Sequence, residues 1–127
     1  MQIITHNKID TKLCGQPVFV KDGSSRVELQ TQDLMTVDAY GLVHGGFIFG
    51  LADHAAMIAV NDPNVVLASA QIKFIKPVRS GQTVVAEAKT ENIEGKKHTV
   101  SVVAFIGETK VFEGEFKCFV LEKHVFS

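Results

Sequence analysis

Hydrophobic and polar positions alternate through most of the second half of the chain, and a single apolar block interrupts the first half. Residues 66–78 set Ala70, Ile72 and Phe74 against Gln71, Lys73 and Ile75, and residues 82–91 set Val84, Ala86 and Ala88 against Val85, Glu87 and Lys89. A period of two marks a strand with one buried face. Residues 98–106 and 110–121 add two more strands, the last with Phe112, Phe116, Cys118 and Val120 on one face. Turn signals at Glu94-Gly95-Lys96 and Gly107-Glu108-Thr109 separate them. Short connections between long neighbours predict that these four strands form an antiparallel meander. Upstream, residues 17–31 read as two short strands around Asp22-Gly23, and residues 34–43, which have no clean period and include Gly41, read as a loop.

The apolar block, GGFIFGLADHAAMIAV over residues 45–60, is rich in helix formers and stops at Asn61-Asp62-Pro63. Its apolar residues go all the way round rather than forming a stripe, which predicts a helix buried on every side. It is too short for a membrane span and contains Asp53 and His54. The element order is β-β-α-β-β-β-β, one helix covered by one curved antiparallel sheet, an α+β arrangement. A single sheet around a single helix leaves an edge and a face exposed, and edge-to-edge pairing with a second copy is the simplest remedy.

At 127 residues this is one domain, residues 1–127. Thirteen Lys and Arg against fourteen Asp and Glu leave a net charge of -1, with no basic field to hold a nucleic acid or an anionic membrane. Cys14 and Cys118 stand far apart with no CxxC, which fits a reducing compartment and offers no zinc site. The first residues, MQIITHNKIDTK, lack an apolar signal-peptide core, so the expected location is the cytoplasm.

Asp53 is the position that does not belong. It lies about two turns past the helix start, too far in to be an N-cap, among Leu51, Ala52, Ala55, Ala56 and Met57. A carboxylate in such surroundings costs several kcal/mol unless it is paired or used. It either meets a cation such as Lys73 or Arg79, or solvent, or it does chemistry. His54 is about 100° further round the helix and reads as a satisfied core or interface histidine. At the helix start, His44-Gly45-Gly46 combines unpaired first-turn N–H groups with two residues that have no side chain to keep a ligand away. Such amides suit a carbonyl oxygen that becomes negative during acyl transfer, although close packing alone also explains a glycine pair.

Gly46 and Asp53 are seven residues apart, so they share a helix face but lie about 10 Å apart along the axis. A base and an oxyanion donor must both come within about 3 Å of the reacting atoms, which one helix cannot achieve. Two helices running antiparallel would set Asp53 of one copy beside Gly46 of the other.

The pattern Asp38-x-x-Gly41-x-x-His44-Gly45-Gly46-x-x-x-x-Leu51-x-Asp53 resembles the helix signature of hotdog-fold acyl-CoA thioesterases. It is most similar to the phenylacetyl-CoA thioesterase branch of the 4-hydroxybenzoyl-CoA thioesterase superfamily. The stretch QIKFIKPVRSGQTVVAEAKTENIEGKKHTVSV resembles the family's strand pattern, and the likeness runs over residues 25–120. The resemblance implies a hotdog fold, a homodimer with a continuous sheet (or a tetramer built from it), and hydrolysis of an acyl thioester. It implies no cofactor, since CoA enters as part of the substrate. By position, Asp53 matches the catalytic carboxylate, and Gly46 with Gly45 matches the carbonyl-polarising amide, beside His44. Lys73, Lys76, Arg79 and the pair Lys96 and Lys97 resemble positions that hold CoA phosphates. Tyr40, Phe47, Phe49 and Phe74 are candidates for the acyl lining, or plain core.

One departure is Asp38, where that branch commonly has Asn. An amide donates a hydrogen bond and a carboxylate only accepts, and a second negative charge near Asp53 would raise one of the two pKa values. Asp38 therefore keeps open a non-catalytic acyl-CoA- or acyl-carrier-binding module with a sensing or accessory role. A hotdog dehydratase would need a His and a carboxylate converging on one carbon, and the nine-residue spacing of His44 and Asp53 does not supply that.

Overall fold

The computed structural model describes residues 1–127. A short helix α1 (Thr11–Cys14) precedes strands β1 (Gln16–Lys21) and β2 (Ser24–Gln30), then a 3-10 turn (Asp33–Met35) and the long helix α2 (Gly45–Val60). Strands β3 (Val65–Phe74), β4 (Thr83–Glu94), β5 (Lys97–Ile106) and β6 (Thr109–Val120) complete the chain. All six strands form one antiparallel sheet in the order β1-β2-β4-β5-β6-β3.

The meander is therefore three strands, not four. β3 pairs with β6, running Val65 opposite Val120 to Phe74 opposite Phe112, and β2 takes the place beside β4. Alternation reports which face of a strand is buried and carries no information about its neighbour, so the error lay in the connection. Residues 75–82 carry the chain from the β3 edge back to β4 in the middle of the sheet, past the N-terminal end of α2. The Val43 N–H donates to the Val78 carbonyl on the way, and the Ser80 N–H donates to the Gly41 carbonyl.

The helix lies in the concave face, against β2, β4 and β5. Small residues on both sides, Ala52, Ala55, Ala56 and Ala59 on α2 and Ala86, Ala88 and Ala104 on the sheet, are all buried and allow close approach. The Ser25 hydroxyl donates to the Ala55 carbonyl at 2.6 Å, pinning the helix to β2. Phe112 and Phe116 on β6 fill the space under the other side of the helix, with Phe49 5.5 Å from Phe116. At the C-terminal end Asn61 adopts the left-handed conformation (φ 52°) and its N–H donates to the Met57 carbonyl, ending α2 just before Pro63.

α2 is not buried on every side. Residues 54–59 are buried all round, but Gly46 is exposed and Gly50 and Asp53 are only half-buried. These three fall on one face at spacings of four and three. A Cβ built at Gly50 meets nothing within 4 Å. The middle of β3, an edge strand, is likewise exposed at Ala68, Ser69, Ala70 and Gln71. The open helix face and the β3 edge, which like the β1 edge has no partner strand, are exposed surfaces of the chain.

Candidate functional site

The loop before α2 is built by one carboxylate and two bridges. Thr36 bridges Val43, and Leu42 bridges Arg79. Asp38 Oδ1 accepts from the Tyr40 N–H at 2.9 Å and the Leu42 N–H at 3.2 Å, an Asx turn that tightens the chain towards Gly41 (φ 86°). Only an acceptor is needed there, so Asp serves as well as Asn. Asp38 is exposed. Within the chain, the cause of the raised Asp53 carboxyl is burial.

The next residues start the helix. His44 is its N-cap, and its ring Nδ1 accepts the Gly46 N–H at 2.7 Å, while the Phe47 N–H donates to the His44 carbonyl at 3.1 Å. The Gly45 N–H has no acceptor within the subunit. So of the first-turn amides that the glycine pair was expected to leave bare, Gly45 is open and Gly46 is occupied by its own neighbour.

Two adjoining grooves meet at this point. One, of about 540 Å³, is lined by Asp38, Tyr40, Arg79 and Gln82; the other, of about 330 Å³, is lined by Gly45, Ile48, Phe74, Lys76 and Val111. They share Leu42, Pro77 and Val78. Phe74 is half-exposed, edge-on to Phe112 at 5.4 Å, and its ring lies 3.2 Å from where a Gly45 side chain would begin. The fold thus gathers Asp38, Tyr40, Gly45, Phe74, Lys76 and Arg79 into one trough at the N-terminal end of α2. Lys73 is not among them. It lies on the far face of β3 with Ser101, Glu113 and Glu115, because alternation sends it opposite to Phe74. Phe47 packs partly into the core, edge-on to His44 at 6.3 Å, and Phe49 also packs against the core. Lys96, at the β4–β5 turn, pairs with Glu122 at 3.7 Å.

Asp53 stands two turns along the open face. Neither Lys73 nor Arg79 pairs with it, and its Oδ1 is buried with no hydrogen-bond partner. Burial pushes its carboxyl up from 3.8 to about 6. It also acts on two thiols that sequence reasoning did not connect with it. Cys118 on β6 is pushed up to about 12, first by burial and then by the charge of Asp53. Cys14 is raised by burial, by Asp10 and by Asp53. His54, by contrast, is a satisfied core residue: its Nδ1 donates to the Cys14 carbonyl at 3.1 Å, and burial lowers its pKa. Gln82 was also missed. Its Oε1 accepts the Arg79 N–H at 2.8 Å, and nothing in the local sequence pattern marks it.

The raised carboxyl has a consequence for stability. Its folded pKa of about 6 lies above the ordinary 3.8, so the folded chain binds the proton more tightly than the unfolded chain between those values. Stability is then fully present below pH 3.8 and falls as pH rises towards 6. At about 1.4 kcal/mol per pKa unit the loss is about 1–3 kcal/mol. Urea titrations of Asp53→Asn and the parent at equal protein concentration should coincide at pH 4, and the variant should be the more stable at pH 8. Equal midpoints at both pH values would show that the carboxylate is not destabilising.

No helix is long and apolar enough to cross a membrane. Residues 40–113 match the family model described as thioesterase superfamily. The chain is 53% identical over 116 residues to a protein of Aquifex aeolicus (strain VF5) named methylthioribose-1-phosphate isomerase, covering 91% of this chain and 25% of that one. It is 35% identical over 80 residues to transcription factor FapR of Bacillus cereus (strain 03BB102), covering 61% of this chain and 41% of that one. The chain thus spans about a quarter and two fifths of these relatives, and neither name passes to it whole. Among solved structures, an uncharacterized protein from Pyrococcus horikoshii superposes with a TM-score of 0.99 at 50% identity, over 100% of this chain and 98% of that one. A mutant of phenylacetic acid degradation protein PaaI from Thermus thermophilus gives 0.78 at 25% identity, over 86% and 95%. A hypothetical thioesterase with coenzyme A from Streptococcus pneumoniae TIGR4 gives 0.77 at 18% identity, over 86% and 87%, which speaks to the fold. With the helix, the wrapped sheet and the residue 40–113 match in agreement, the chain belongs to the thioesterase superfamily and has its hotdog fold.

Proposed function

We propose that this protein is an acyl-CoA thioesterase that works as a homodimer, with each site built from two subunits. Asp53 of one copy acts as base or nucleophile on the thioester carbonyl. The Gly46 N–H of the other copy, with Gly45, takes the negative oxygen. The observation that carries this reading is the unpartnered, buried Asp53 oxygen on the helix face that a lone subunit leaves open. A carboxyl poised near pH 6 titrates where a general base is useful, and burial strengthens its interaction with a nearby reacting centre. The trough at the helix start offers an apolar floor for an acyl group, and Tyr40, Lys76 and Arg79 at its rim suit a nucleotide with phosphates. Coenzyme A in the S. pneumoniae relative and the degradation of an aromatic acid named for the T. thermophilus one agree with such a substrate.

The second copy follows from the same exposure. Edge pairing along β3 would extend the sheet to twelve strands and bring the two open α2 faces together, burying Gly50 and Asp53. Two such dimers could stack further into a tetramer. The cytoplasm remains the expected location.

The reading in which the domain binds acyl-CoA or an acyl carrier without hydrolysing it has two observations in its favour. The matching B. cereus relative is a transcription factor, and the Gly46 amide is not free in the subunit alone. A thiol-release assay over short, medium and aromatic acyl-CoAs, run beside calorimetry with the same ligands, separates the two. Thiol release above background supports hydrolysis and identifies the acyl group. Saturable binding without release supports the binding module, and neither signal rejects both.

A further inference from the structure

The amide that the proposed reaction needs is taken before any substrate arrives. His44 Nδ1 accepts the Gly46 N–H at 2.7 Å, which is possible only while that ring nitrogen carries no proton. The ring lies over the amide closely enough that a Cβ at position 46 would fall 2.8 Å from Nδ1 and 3.0 Å from Cε1. The missing side chain of Gly46 therefore does two things. It bares the backbone to a ligand, and it gives the imidazole room to cover that backbone.

We propose that the His44 ring is a latch on the oxyanion donor: it caps α2 while the site is empty and is displaced when a thioester carbonyl takes the Gly46 N–H. This rests on the thioester reading above. One N–H makes one good hydrogen bond, so ring and carbonyl compete for it rather than share it. The latch is lightly held. His44 is exposed, the bond to Gly46 is its side chain's one hydrogen bond, and its ring meets Phe47 edge-on with 6.3 Å between centroids. The open Gly45 N–H lines the apolar groove beside it, so a carbonyl entering there finds one free amide next to the latched one. His44 in this role is a positioning residue that sets how readily the donor becomes available. Removing a competitor of one neutral hydrogen bond should tighten carbonyl binding by about 3–10-fold.

The test uses the whole protein labelled with nitrogen-15. Two variants, His44→Ala and His44→Asn, are compared with the parent. Asn keeps an acceptor at the N-cap and guards against a loss of folding caused by Ala alone. The probes are methyl- and phenyl-ketone analogues of acyl-CoA, in which a methylene separates the carbonyl from the sulfur and blocks hydrolysis. The latch predicts that the Gly46 amide resonance moves on His44→Ala and again when analogue binds the parent. It predicts that His44→Ala binds analogue about 3–10-fold more tightly, that His44→Asn resembles the parent, and that any hydrolysis shows the gain in KM rather than kcat. A Gly46 resonance indifferent to His44→Ala, or analogue binding no tighter in that variant, overturns the latch and leaves the thioester reading standing. Analogue that binds none of the three proteins overturns that reading and the latch with it.

Discussion

Asp53→Asn should keep the fold and the association of subunits while lowering thioester turnover by about 10²–10⁴-fold, the usual scale for loss of a positioned acid–base group. The substitution is nearly isosteric, and no partner in the subunit depends on the charge, since Oδ1 accepts no hydrogen bond there and no cation pairs with it. What disappears is the ability to take a proton or attack a carbonyl. The same residue sets the pH dependence. The active form is the ionised one, so in the parent kcat/KM should rise with pH and level off above about 6, where the folded carboxyl loses its proton. The variant's residual rate should lack that inflection. Full turnover by Asp53→Asn, in protein verified by mass, would remove the residue from the mechanism whatever its surroundings.

A charge proposed to be useful is also expected to weaken the fold, and its unusual place is legible in sequence. An aspartate between Ala52 and His54 in an otherwise apolar helix breaks a local rule without visible compensation, which is where functional sites are expected. The helix bounds were legible for the same reason: the glycine pair, the helix formers and Asn61-Asp62-Pro63 are all local signals, and the structure begins and ends α2 at Gly45 and Val60. The order of strands was not legible. β3 and β4 read as neighbours because the connection between them is short, but sheet order depends on which edge the residue 75–82 crossing reaches, a long-range matter. α1 has four residues, too few to leave a periodic trace.

Two side chains were visible as chemistry and turned out to have structural duties first. Asp38 holds the loop through its Oδ1, a task for which Asp and Asn are equivalent, so its departure from the family pattern leaves the turn intact. His44 caps the helix, a job more often done by Ser, Thr, Asp or Asn, and so carried no N-cap signal. The open face of α2 could not be read from composition, because apolar residues all round a helix look the same whether they meet the protein's own sheet or a second copy.

Two inactive variants should restore activity to each other if each site draws on both subunits. Gly46→Pro removes the amide donor outright; proline is tolerated in the first turn of a helix, and its cost here is the His44 capping bond, with the exposed His44 ring turning aside to make room, so folding of the variant is checked by circular dichroism. Asp53→Asn removes the base. Each homodimer lacks one component at both of its sites. A heterodimer has one site with both defects and one with neither, because the intact Asp53 of the proline variant faces the intact Gly46 of its partner. Unfolding and refolding an equal mixture gives about half heterodimers by random pairing, so activity should return to about a quarter of the parent level. Restoration requires the trans arrangement: were the base and donor drawn from one chain, every chain in the mixture would still lack one of them. A mixture whose heterodimers are seen by native mass spectrometry, yet whose rate stays at that of the separate variants, would place the whole site within one subunit. The roughly 10 Å between Gly46 and Asp53 along a single helix argues that it cannot be there.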